Sequence, residues 1–215
     1  MFETLKNAFK VKEIRVKIWW TLAFLLLYRL GCYIPVPGIG ESLLETAGLG
    51  DLNYLSIMSM MSGGALSQGT WFAMGISPYI NASIIIQLLT VAIPALERLS
   101  KEGEEGKKKL AQITRYTTVI LGLLQGTAYF IYLANQRCLS VSKGDGFVFW
   151  LAAVVIVLCF TAGSALVMWL GEQIDTRGIG NGISMILFAG IISRAPDAAA
   201  VMITNLQDPS KIVPV

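Results

Sequence analysis

The chain has 215 residues, of which 54% are hydrophobic and only 14% charged, with a net charge of +3 and a mean hydropathy of +0.63. That balance is too apolar for an ordinary water-soluble domain. There is no histidine, which excludes His-based acid–base chemistry and His metal ligation. No phosphate-cradling GxxxxGK[ST] loop occurs, so an ATP-driven engine would have to sit on another chain. Cys32, Cys138 and Cys159 are far apart, form no CxxC pair, and read as buried apolar side chains rather than a disulfide framework or a metal site.

In chain order, the first 17 residues carry Lys6, Lys10, Lys12, Arg15 and Lys17. They are too polar for a cleaved leader and are expected to be retained. A first apolar segment follows over 18–36, broken only by Arg29. Pro37 to Thr70 holds no Lys or Arg, and within it 53–67 reads NYLSIMSMMSGGALS. From Trp71 to Leu96 there are 26 residues without a charge, ended by Glu97 and then EGEEGKKK at Glu102–Lys109. A helix rising ~1.5 Å per residue crosses the ~30 Å hydrocarbon core in about 20 residues, so 71–96 is long enough to span. Further spans are expected over 113–135 and 147–171, with a shorter glycine-rich one over 178–203. The expected class is an all-α polytopic membrane protein with five transmembrane helices and one short amphipathic helix.

Positive charge sets the expected orientation. Lys and Arg crowd the N-terminal segment and the stretch from Arg98 to Arg115, whereas 37–70 has none and 136–146 only Arg137 and Lys143. The N-terminus is therefore expected inside, with the fifth span ending outside. The basic residues sit at span ends, where topology explains them without nucleic-acid binding.

Within 53–67, Tyr54, Met58, Met61 and Ala65 recur at helical spacing, while Ser56, Ser59 and Gly63 fall on another face. This is a helix of about three turns ended by Gly63-Gly64. Two placements are open: flat on the outer leaflet, or packed loosely against protein in a wet cavity, as a removable stopper would be. Its lack of Trp, Lys and Arg favours the second. In 71–96, Pro78 is expected to bend the helix. Ile76 and Ile80 share a face, as do Ile183 and Leu187. Such pairs ordinarily face lipid or another helix, but from two helices they can also form a hydrophobic constriction. Gln87, a carboxamide inside a span, is expected to seek a partner on a neighbouring helix. Arg29 is expected near the outer end of its span, snorkelling or meeting a partner.

Five collinear motifs, RLGCYIPVPGI, MSGGALS, ISPYINASIIIQLL, KEGEEGKKKLAQITRY and WLGEQIDTRGIGNGISMILFAGI, resemble the bacterial SecY family, the pore subunit of the Sec protein-translocation channel. The resemblance covers essentially the whole chain, 1–215, and corresponds to helices one to five of ten, one half of an inverted-repeat clamshell whose C-terminal half is absent. It implies that 53–67 is the plug, with Tyr54, Leu55, Ile57, Met58, Met61, Gly63 and Gly64 as plug residues. It implies a pore ring of Ile76, Ile80, Ile183 and Leu187, the leucine standing where isoleucine is usual, and a lateral gate at Ile84 and Gln87. Lys101, Lys107, Lys108, Lys109 and Arg177 would lie on cytosolic loops facing partners.

The implied activity is movement of unfolded secretory polypeptides across the plasma (inner) membrane, and of membrane segments and signal sequences into it, without enzymatic catalysis or cofactor. Implied partners are SecE- and SecG-like small membrane subunits, a SecA-type ATPase motor or the ribosome, the lipid bilayer and the other half of the channel. Half of a small-solute secondary transporter is the alternative. It would more often place an ionisable residue near the bilayer midplane, and 71–96 has none. An intramembrane enzyme is weaker still, for want of a catalytic constellation in the spans.

Overall fold

The computed structural model describes residues 11–39, 54–135, 139, 146–196 and 199–200, at 54–56 the backbone only. Among these the chain is helical: α1 (Lys12–Gly31), α2 (Tyr54–Met61), α3 (Ser77–Ala92), α4 (Pro94–Lys101), α5 (Glu104–Asn135), α6 (Gly146–Arg177) and α7 (Gly182–Ile192). Strand pairing is limited to two isolated bridges, Pro35 with Thr70 and Ile39 with Leu139. The N-terminal ten residues, 40–53, Cys138, and the 201–203 end of the expected fifth span lie outside the described residues.

Two helices, α5 and α6, are each long and apolar enough to cross a membrane, and the bent α3–α4 pair makes a third if taken as one span. They form the body of the fold. α5 packs against α6 along its length and also carries α3. Small side chains let the backbones approach: Thr118, Gly122 and Gly126 recur every four residues on the buried face of α5, and Gly122 sits against Thr161 and Ser164 of α6. Where lipid is the alternative solvent there is no hydrophobic gain from pairing helices, so this close fit supplies the attraction. Gly163 of α6 is similarly pressed against the Trp71 backbone carbonyl.

Two apolar cores result. One gathers Val36, Met58, Leu66, Tyr129, Ile156 and Phe160. Inside it the buried Tyr129 hydroxyl donates to the Leu66 carbonyl at 2.9 Å. The other gathers Phe24, Tyr28, Phe72, Ile76, Leu170, Ile174 and Ile186.

Several boundaries differ from those expected. The helix expected from Trp71 begins at Ser77: residues 70–76 form turns, with Gly75 at φ +53°, and Trp71 N–H instead donates to the Ile34 carbonyl at 3.0 Å. Pro78 therefore lies in the first turn of α3, where its missing N–H leaves no broken bond, and it bends nothing. The bend belongs to Pro94. It holds Ile93 extended (φ −109°, ψ 113°), and α4 leaves α3 at 102°. Lys107, Lys108 and Lys109 are not in a loop: α5 starts at Glu104, so they form its first exposed turns. Likewise α6 continues through Arg177, leaving only 178–181 to connect it to α7.

Candidate functional site

Ile76 caps α3 and its carbonyl accepts from the Ile80 N–H at 3.1 Å, so the two side chains point the same way one turn apart. Ile183 and Leu187 stand one turn apart on α7. All four residues belong to one apolar assembly: Ile76 and Ile186 are buried members of the second core, and Ile80, Ile183 and Leu187 pack against that core half-buried. The start of α7 is fixed by polar contacts. The Asn181 side chain accepts from Ser184 N–H at 3.1 Å, and Asp175 accepts from Gly182 N–H at 2.6 Å. Thr21 of α1 accepts from Ile179 N–H at 3.0 Å, which ties the α6–α7 turn to α1.

Helix α2 is eight residues, shorter than the three turns expected over 53–67. It stops because Gly63 takes a left-handed conformation (φ +65°). Gly64 N–H then reaches the Ser59 carbonyl at 2.8 Å and Gly63 N–H the Met60 carbonyl at 3.2 Å, the bond pair of a Schellman cap. Met58 is buried, Met61 half-buried and Ile57 exposed. The side chains of Tyr54 and Leu55 lie outside the described residues.

Two of the serines are enclosed by protein instead of facing a wet cavity. Ser59 and Ser62 are buried, and the Ser62 hydroxyl donates to the Ser59 carbonyl and accepts from Leu66 N–H. The reversal at Gly63-Gly64 folds the following residues back, so that Leu66 N–H reaches Ser62 and covers it.

The C-terminal end of α2 meets residues on both sides of the isoleucine–leucine cluster. A Cβ placed on Gly190 would lie 2.5 Å from the Met61 carbonyl oxygen, and one on Gly75 would lie 3.5 Å from Ser62 Cβ. Gly75 directly precedes Ile76, and Gly190 follows Leu187 by one helical turn on the same face. Neither glycine stood out in the sequence. The only trace of Gly190 is that it continues the 183, 187 spacing at +3.

Ile84 and Gln87 lie on an outward face of α3, exposed beside Leu88 and Val91. Among the described residues Gln87 meets no interhelical partner: its Nε2 donates to Ser83 Oγ at 3.3 Å, one turn back on the same helix. Lys101 pairs with Glu97 within α4 at 2.6 Å, and the Arg177 guanidinium lies 5.6 Å from the Trp20 ring centroid. Arg115 of α5 and Glu172 of α6 form an ion pair at 2.7 Å. Among the described residues no group of three or more His, Cys, Asp or Glu side chains could hold a metal.

An all-helical bundle among the described residues, with membrane-length helices broken at glycine and proline, is the architecture of a polytopic α-helical membrane protein. The SecY family profile matches residues 70–215. The protein translocase subunit SecY of Streptomyces coelicolor is 44% identical over 210 residues, covering 92% of this chain and 47% of the relative. That of Bacillus subtilis is 44% identical over 200 residues, covering 91% and 44%. The chain belongs to the SecY family, and it spans about half the length of the curated relatives it matches.

Solved structures agree on the fold. A structure described as that of a protein conducting channel matches with TM-score 0.60 at 20% identity, covering 95% of this chain and 44% of the other. Sec61 in the canine ribosome–channel complex from the endoplasmic reticulum matches equally well, with the same TM-score, identity and coverage.

Proposed function

We propose that this chain supplies the first half of a protein-conducting channel, carrying unfolded secretory polypeptides across the bacterial plasma membrane and releasing membrane segments into it. The observation that carries this reading is the meeting of Ile76, Ile80, Ile183 and Leu187 on one apolar cluster. A ring without hydrogen-bonding groups can close around any side chain, and it stays nearly dry when empty, which resists ions. Kinship to translocase subunits favours this over half of a solute transporter.

In this proposal the chain makes five crossings, at 18–36, 71–96, 113–135, 147–171 and 178–203, starting from a cytoplasmic N-terminus. The segment 53–67 is the plug that seals the ring. The exposed apolar face of α3 around Ile84 and Gln87 is one wall of a lateral gate; the other wall comes from the complementary half. SecE- and SecG-like subunits complete the assembly. A SecA-type motor or the ribosome, meeting the basic turns at Lys101, Lys107–Lys109 and Arg177, supplies the drive. No bond-making chemistry is assigned to this chain.

The test is a secretory polypeptide arrested in transit and carrying a photo-crosslinker at the membrane midpoint. Adducts are expected at Ile76, Ile80, Ile183 and Leu187. Adducts confined to other residues of the chain would remove these four from the path.

A further inference from the structure

We propose that Arg29 is the positioning residue that holds the C-terminal end of α2 in place, clamping it between α1 and α7. This rests on the reading of α2 as the channel's seal, and it names what keeps the seal seated. Arg29 lies in the last turn of α1. Its Nη1 donates to the Gly63 carbonyl at 3.5 Å, and its guanidinium stacks 5.8 Å from the Tyr33 ring centroid. No carboxylate among the described residues pairs with it. An arginine inside an apolar segment is costly, and the cost is met by an acceptor. Here the acceptor is the Gly63 carbonyl, in the turn two residues past the last residue of α2.

Gly63 fits a slot with a wall on each side. A Cβ there would lie 2.8 Å from Arg29 Nη1, 2.9 Å from Ser193 Oγ and 3.0 Å from the Gly190 carbonyl. The α1 wall is thus a single side chain. The α7 wall is Gly190 with Ser193, whose hydroxyl donates to the Gly190 carbonyl at 2.6 Å. Two helices therefore flank the turn residue that ends α2. Removing the arginine leaves the α7 wall alone. Adding a methyl at Gly190 pushes against the Met61 carbonyl from the opposite side.

The experiment uses the assembled channel in inverted membrane vesicles, with spin labels at the exposed positions Met60 and Leu30. It compares wild type, Arg29→Gln, Arg29→Lys, Gly190→Ala and a deletion of 54–61, reading resting ion leak in all and the label distance in those that retain α2. Arg29→Gln is expected to lengthen the α1–α2 distance and raise the leak, with a roughly tenfold shift toward the undocked population, the scale of a lost hydrogen bond to a charged group. It should accumulate normally, because removing a charge eases insertion. Gly190→Ala should leak similarly, and Arg29→Lys should keep the docked distance.

An unchanged distance in Arg29→Gln overturns the clamp. If that variant is also tight while the deletion leaks, the seal survives without it. A deletion that stays tight overturns the seal itself, while the label distance still reads the clamp. A lysine variant as displaced as the glutamine one overturns a hold based on charge.

Discussion

Asp175 accepts a hydrogen bond from the backbone N–H of Gly182, seven residues on, at 2.6 Å. The carboxylate closes the turn between α6 and α7, and so sets the axis along which Ile183 and Leu187 are presented. Satisfying a free N–H at the first turn of a helix is worth about 0.5–2 kcal/mol. Asp175→Ala is expected to lose about 1 kcal/mol and to speed amide exchange at Gly182–Ser184, leaving α5 protected. Unchanged exchange there would show that Asn181 caps the helix alone.

At the ring, Ile80→Asp should give normal protein levels and a leaky resting membrane, because the charge brings water into the constriction. Leu, Val or Met at the same position should be tolerated. Ile183→Asp should behave like Ile80→Asp. If Ile80 instead faces lipid, the charge would cost ~2.5–3.5 kcal/mol on insertion near the bilayer centre, giving low protein and no leak. Immunoblotting with vesicle conductance separates the two outcomes.

Orientation has its own measurement. Lys107→Cys should be shielded from an impermeant maleimide added outside intact cells, and Gly48→Cys should react. The lysine-rich start of α5 against the 37–70 segment, which holds no Lys or Arg, motivates this. Outside labelling at 107 would invert the topology.

Gly163 is the sharpest packing test. It lies against the Trp71 carbonyl, a backbone atom that cannot swing aside. Gly163→Ala is expected to destabilise by about 1–3 kcal/mol through overpacking, read as a lower Tm in detergent. Gly146→Ala, where nothing lies within 4 Å, should be neutral. Equal stability in both would mean that α6 and the 70–76 turns are free to separate.

The uncharged stretches 116–136 and 147–171 announce α5 and α6, because only a helix satisfies every backbone group in lipid. They do not announce how far each helix continues. Glu104–Lys109 is helical although charged, since Glu and Lys are good helix formers, and polarity there marks exposure rather than a loop. Two prolines illustrate the same limit. Pro78 begins a helix and Pro94 turns one, and the difference lies in the nine residues before Pro78, where Gly69 and Gly75 hold positive φ. The 76/80 and 183/187 spacings marked two apolar pairs, and only the resemblance to the SecY family proposed them as a ring. The seat of α2 was silent, because it is made by glycines whose role is to be absent at one point in space.

The lengths of α5 and α6 have a mechanical consequence. Thirty-two residues each, at ~1.5 Å per residue, make rods of about 48 Å, longer than the ~30 Å hydrocarbon layer. Set across a bilayer, they would leave that surplus standing clear as a paired stalk, cross-braced where Arg115 meets Glu172. A push on Lys107–Lys109 cannot dissipate in a hinge, since that stalk continues without interruption into the helix on which α3 rests. In the proposed channel, whatever leans on the basic tip would therefore tilt α3, and Ile80 with it, as one stiff lever.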